Sequence, residues 1–158
     1  MNDDVRDLYQ EVILDHNKNP RNFGTMDDAE VRREGYNPLC GDHYTFFLKT
    51  DHGTVTDLRF EGTGCAISKA SASMMSAEVK GKSKAEVDRL FQLFHDIVTG
   101  KIDTLDHLDE LGKLAAFGGV SEFPARVKCA TLAWHTLREA LADAAARDGA
   151  TTSTETQG

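Results

Sequence analysis

The 158-residue sequence has no long apolar run, no surplus of basic charge and no even complement of cysteines. Each shortage removes a class of protein. A membrane-spanning helix needs about 20 mostly apolar residues in a row, and the opening stretch "MNDDVRDLYQ" lacks the apolar core of a signal peptide. The chain therefore reads as cytoplasmic, with no membrane association. Its formal net charge of −8 argues against nucleic acid, because neutralising phosphates takes an excess of Lys and Arg. An acidic surface favours solubility and could steer the chain toward a basic partner. With three cysteines, a complete set of internal disulfides is impossible, and in a reducing compartment such residues are more often ligands or reactive thiols than crosslinks. Aromatic residues are also scarce, at 8%. Phe46, Phe47, Phe60, Phe91, Phe94 and Trp134 are nevertheless spread along the chain, so one core can form, as the length suggests.

Hydrophobic spacing divides the chain into elements. In "DDVRDLYQEVILDH", Val5, Leu8, Tyr9, Val12 and Ile13 recur at helical spacing over residues 3–16, and Pro20 and Gly24 stop the pattern. A short first strand is expected at 31–36. "HYTFFLKT" and "TVTDLRFEG", separated by "DHG", predict a hairpin at 43–50 and 54–61 in which Thr56, Leu58 and Phe60 share a buried face. Small residues dominate "AISKASASMMSAEVKG", a helix able to approach a neighbour closely. The next helix starts at Ser83, carries a stripe of Val87, Leu90, Phe91, Phe94, Ile97 and Val98, and ends at Gly100. A less regular acidic segment follows, and the last helix begins near Pro124. This order predicts an α+β fold: a small, mainly antiparallel three-stranded sheet with helices on one face. Residues 1–147 form the expected domain, and 148–158, "DGATTSTETQG", lack apolar content and are expected to be disordered. No internal repeat is present.

Cys40, Cys65 and Cys129 are far apart in sequence but share a setting, each near the start or end of an element. Cys40 lies in the loop entering the hairpin, Cys65 follows Gly62-Thr63-Gly64 and opens a helix, and Cys129 falls in the first turns of the last one. Helix N-termini favour thiolate over thiol. In "NPLCGDHYT", Gly41 lets Cys40 and Asp42 face the same way, so Asp42 can supply an oxygen ligand. Three thiolates and a carboxylate suit zinc, or an incomplete platform for iron and sulfide. The plainer alternative is three buried core cysteines. No pair has the C-x-x-C spacing that would decide between them.

The wording of the sequence goes further than its spacing. "LYQEVILDHNKNPRNFG", "GYNPLCGD", "FEGTGCAISKASASMM" and "FPARVKCATLAWHTL" closely resemble, in order, the motifs of the SufU/IscU/NifU-N family of iron–sulfur cluster assembly proteins. The resemblance spans about residues 5–145. It implies that Cys40, Asp42, Cys65 and Cys129 converge at one end of the fold and bind zinc, or a [2Fe–2S] cluster in the scaffold branch. It also implies a PLP-dependent cysteine desulfurase as partner and other SUF cluster-assembly proteins downstream. Two departures from the scaffold branch favour the SufU branch. Lys128 stands where scaffolds usually carry His before the third cysteine, and the interval to Cys129 includes the longer "GKIDTLDHLDELGKLAAFGGVSEFPAR". "FPARVKC" also replaces the "LPPVK"-type chaperone-recognition stretch.

The expected activity is that of a zinc-dependent sulfurtransferase with Cys40 as persulfide acceptor, its loop being freer than a helix turn. Cys129, beside Lys128, is the rival acceptor. A [2Fe–2S] scaffold and a non-catalytic zinc-stabilised adaptor of the desulfurase are the other readings. Arg126 and Lys128 read equally as partner contacts or as solvated cations. His43 reads as an exposed strand residue, and His16, His52, His95, His107 and His135 are placed on surfaces or turns.

Overall fold

Alternating burial in the middle of the chain builds an antiparallel meander of β1 (Val31–Asn37), β2 (Asp42–Asp51) and β3 (Thr54–Thr63), in that order. The computed structural model describes residues 3–38 and 41–152. Tyr44, Phe46 and Leu48 project from one face of β2 and are fully buried, as are Leu58 and Phe60 on β3. Phe46 sits opposite Phe60 and Leu48 opposite Leu58, so cross-strand pairs fill the inner face. On the other face Phe47 has Arg32 and Arg59 as its strand neighbours, and the Arg32 guanidinium lies 5.0 Å from its ring.

One strand residue departs from the expected alternation. The register shifts between Lys49 and Thr50, which leaves Thr56 without a strand partner. Thr56 is exposed, and its hydroxyl donates to the Lys49 carbonyl at 3.0 Å. Val55 takes the buried position instead. An extra residue in one strand inverts which side chains face the core beyond it.

Helices cover the inner face. α2 (Ala66–Val79) is the one rich in small residues, and Ser68, Ala70, Ser71, Ala72, Ser73 and Ser76 are all buried. Its close approach to α5 (Pro124–Thr152) is visible in the Ser71 hydroxyl, which donates to the Ala130 carbonyl at 2.6 Å. α3 (Lys84–Val98) begins with a capping box: Ser83 Oγ accepts from the Glu86 N–H at 3.3 Å, and Glu86 Oε1 accepts from the Ser83 N–H at 3.0 Å. Its predicted stripe is buried throughout, and Phe94 packs between Trp134, at 4.9 Å, and Phe117, at 5.5 Å.

The irregular segment expected after α3 resolves into a 3-10 turn at Thr104–His107, a short α4 (Leu108–Leu111) and a 3-10 stretch at Gly112–Glu122. Its first half is acidic and solvated. Its second half belongs to the core through Leu111, Leu114, Phe117 and Val120.

α1 (Asp3–Lys18) packs against α2. Val12 and Ile13 lie partly buried on the core, whereas the side chains of Val5, Leu8 and Tyr9 lie outside the described residues. His16 is not on the surface, contrary to its reading from sequence. It is 4% exposed, and its Nδ1 lies 2.7 Å from Ser73 Oγ, an oxygen that also accepts from the Arg21 N–H at 2.8 Å. Burial, followed by the nearby Arg21 charge, holds the His16 imidazole below its ordinary pKa.

At the far end, the α5 backbone continues to Thr152, past the 147/148 boundary drawn from composition. Residues 153–158 lie outside the described residues. Among the described residues, no helix is long and apolar enough to cross a membrane.

Candidate metal centre

Strand parity decides where Asp42 points. It is the first residue of β2, on the same side as Tyr44 and Phe46, and it is fully buried at the end of the sheet where α2 begins. Its Oδ1 accepts the Cys65 N–H at 2.9 Å, which ties the start of β2 to the start of α2. Cys65 is the N-cap of α2, and its Sγ accepts the Ser68 N–H at 3.4 Å. A thiol here does the work usually done by a Ser or Asp side chain.

Cys129 arrives from α5 and is fully buried. One ligand atom from each of Asp42, Cys65 and Cys129 lies within 4.8 Å of the others. The Oδ2 of Asp42 is buried and has no hydrogen-bond partner among the described residues. Carboxylate oxygens rarely remain in that condition, because an unpaired buried acceptor is costly. Two soft sulfurs and one hard oxygen, with that oxygen left over, fit a zinc ion short of one ligand.

Small residues keep the three donors together. A Cβ at Gly64 would fall 2.5 Å from Ser68 Oγ and 2.7 Å from Asp42 Oδ1, and closer still to the Tyr44 hydroxyl. Glycine is therefore required by the close approach of β2 and α2. Gly41 has φ 72°, a left-handed conformation that leads the chain into Asp42. Tyr44 forms the floor, its hydroxyl 2.9 Å from Ser68 Oγ. Burial first, and then the charges of Asp42, Cys65 and Cys129, push its phenol pKa up to about 12, against the opposing Ser68 hydrogen bond.

The remaining sequence candidates fall in different places. Cys40 lies outside the described residues. Cys129 is the sixth residue of α5, so it lies beyond the first turn where the helix dipole acts. The nearby positive charge in the sequence is Arg126, three residues earlier, whose guanidinium pKa is held above its ordinary value, chiefly by Cys129 and then by the negative charge of Cys65. Arg126, read from the sequence as a partner contact or a solvated cation, is exposed in the first turn of α5, one helical turn before Cys129. Lys128 is exposed and lines an open groove of about 510 Å³ with Tyr36, Pro38, Leu132 and His135. His43 faces away from Asp42 and pairs with Glu34 at 2.8 Å. It is the exposed strand residue expected.

A meander backed by helices, with an acid and two thiols gathered at one end, defines a known architecture. The NifU-like N-terminal domain model matches residues 8–130, and the chain belongs to that family. It is similar to the Bacillus subtilis zinc-dependent sulfurtransferase SufU, with 46% identity covering 85% of this chain and 90% of that one. It is 42% identical to the Streptococcus pyogenes iron–sulfur cluster assembly scaffold protein IscU, over 85% of this chain and 82% of that one. Among solved structures, a protein from Fervidobacterium islandicum described as an iron–sulfur cluster assembly scaffold for the SUF system superposes with a TM-score of 0.77. It is 36% identical, over 83% of this chain and 94% of that one.

Proposed function

We propose that this chain serves iron–sulfur cluster assembly as a zinc-dependent sulfur acceptor. In this reading it takes persulfide sulfur from a PLP-dependent cysteine desulfurase and passes it to downstream SUF proteins. The observation that carries the reading is the convergence of Asp42, Cys65 and Cys129, with one buried Asp42 oxygen left unpartnered. The name of the Bacillus relative supports zinc and sulfur transfer. Cys40 is the fourth donor in the proposal. Its Cα can lie no more than about 3.8 Å from that of Gly41, and Gly41 adjoins Asp42.

Zinc, when bound, would hold the sulfurs as thiolates and close the donor set, while remaining open to ligand exchange. The chain's own residues supply the rest. The Cys65 N–H fixes one Asp42 oxygen and leaves the other for the metal. Gly64 keeps the approach narrow, and Tyr44 stays a neutral phenol under the anionic groups. The acceptor thiolate of Cys40 attacks the terminal sulfur of the donor persulfide. The donor's S–S bond breaks as a new one forms, the donor leaves as a thiolate, and no net oxidation occurs.

A second reading is favoured by the Streptococcus relative, named as a scaffold. The same four donors would then carry a [2Fe–2S] cluster as cargo. Metal analysis of anaerobically purified protein, followed by mass spectrometry after incubation with desulfurase and cysteine, separates the two. The sulfurtransferase reading expects one zinc per chain and one added sulfur on the Cys40 peptide, lost in Cys40→Ala. Iron and acid-labile sulfide retained with no sulfur adduct would favour the scaffold. An adduct confined to Cys129 would move the acceptor role there.

A further inference from the structure

The three described donors of the candidate centre are not held alike. Asp42 and Cys129 are fully buried, so close packing fixes where their side chains point. Cys65 is partly exposed and caps α2 from outside the helix, where a side chain has three staggered χ1 positions open to it. The position it adopts puts its Sγ within 4.8 Å of the other two ligand atoms. Packing alone does not select that position.

Ser68 meets this sulfur twice. Its backbone N–H donates to Cys65 Sγ at 3.4 Å, and its hydroxyl oxygen accepts from the Cys65 thiol at 3.7 Å. The same hydroxyl donates to the Cys65 carbonyl at 3.1 Å and lies 2.9 Å from the Tyr44 hydroxyl. A serine hydroxyl has one proton to give and two lone pairs to accept with. Giving to the carbonyl and accepting from Tyr44 and the thiol uses all three, so the group has no other orientation to adopt. Ser68 is 1% exposed, and no water competes for it. Tyr44 is fixed in turn by Phe60 and Phe46, with ring centroids at 5.9 and 6.4 Å. A continuous link therefore runs from the aromatic core through Tyr44 and Ser68 to the sulfur.

We infer that Ser68 is a positioning residue for Cys65: its hydroxyl, anchored by Tyr44, holds the sulfur in the rotamer that faces Asp42 and Cys129. The consequence for metal binding rests on the zinc reading proposed above. A sulfur already aimed at its fellow ligands binds without first giving up rotamer freedom, and orienting contacts behind metal ligands are worth about 10–100-fold in affinity. The aiming itself needs no metal.

The test follows the Hα–Hβ couplings of Cys65 by NMR on the full chain after EDTA treatment, together with zinc affinity by chelator competition. The wild type is expected to show the couplings of one χ1 rotamer. Ser68→Ala should show averaged, intermediate couplings and bind zinc about tenfold more weakly. That variant also strips the buried Tyr44 hydroxyl of its partner, so Ser68→Ala/Tyr44→Phe is measured beside it. Removing both partners should return most of the lost stability, read by urea titration, but neither the single rotamer nor the affinity. A merely structural serine would move the urea midpoint alone. Averaged couplings in the wild type, a single rotamer kept in Ser68→Ala, or recovery of rotamer and affinity in the double variant would each overturn the inference. The zinc content of the untreated wild-type protein tests the metal reading separately: a chain without zinc whose Cys65 rotamer still depends on Ser68 would sink that reading and leave the positioning role standing.

Discussion

Gly64 is where the centre is least able to tolerate change. A methyl there would collide with Tyr44, Ser68 and Asp42 at once. Gly64→Ala should therefore destabilise the fold by about 1–3 kcal/mol and lower zinc stoichiometry, as urea titration and metal analysis would report. Tyr44 gives a pH signature. Its phenol titrates near 12 in the fold and near 10 when unfolded. The stabilisation tied to the neutral phenol is thus complete below pH 10 and is lost as pH rises toward 12, amounting to about 2–3 kcal/mol. Tyr44→Phe should flatten the fall in stability between pH 9.5 and 11.5, and an equal fall in both proteins would contradict the assignment. Asp42 and Cys65 were legible in the sequence because Gly41 and Gly64 adjoin them, one serving a turn and the other a close approach, whereas Cys129 has no such neighbour.

At the scale of elements, α3 was the easiest to read, since its cap, stripe and terminating glycine are all local. Ser83→Ala removes one half of its capping box and should cost about 1 kcal/mol, measured as a shift in urea midpoint with no change in metal binding. α1 was harder. His16 looks like a helix-end polar residue, and only the packing of α1 on α2 reveals it as a buried anchor to Ser73. The imidazole is held below its unfolded pKa, so unfolding favours its protonation. The stability contributed by neutral His16 is present above about pH 6.5 and is lost as pH falls through the folded value. His16→Gln should therefore show a smaller loss of melting temperature between pH 7.5 and 5.5 than wild type. The bulge at Thr56 was invisible for a related reason: parity in "TVTDLRF" is continuous, and the break comes from how β3 pairs with β2.

Across the whole molecule, the order of elements and the three-stranded sheet followed from periodicity and turn residues. The core contribution of Leu114, Phe117 and Val120 did not, because 3-10 turns have no apolar period of the helical or strand kind. What the fold achieves is to bring the start of β2, the cap of α2 and the second turn of α5 to one end, joining residues 42, 65 and 129. The metal reading depends on that meeting. The most direct measurement is zinc K-edge X-ray absorption on the full chain, with Cys65→Ser as the comparison. A shell of three sulfurs at about 2.3 Å and one oxygen at about 2.0–2.2 Å, losing one sulfur in Cys65→Ser, is the expected result. A shell made mainly of nitrogen and oxygen, or one that Cys65→Ser leaves unaltered, would mean that these side chains do not share a metal.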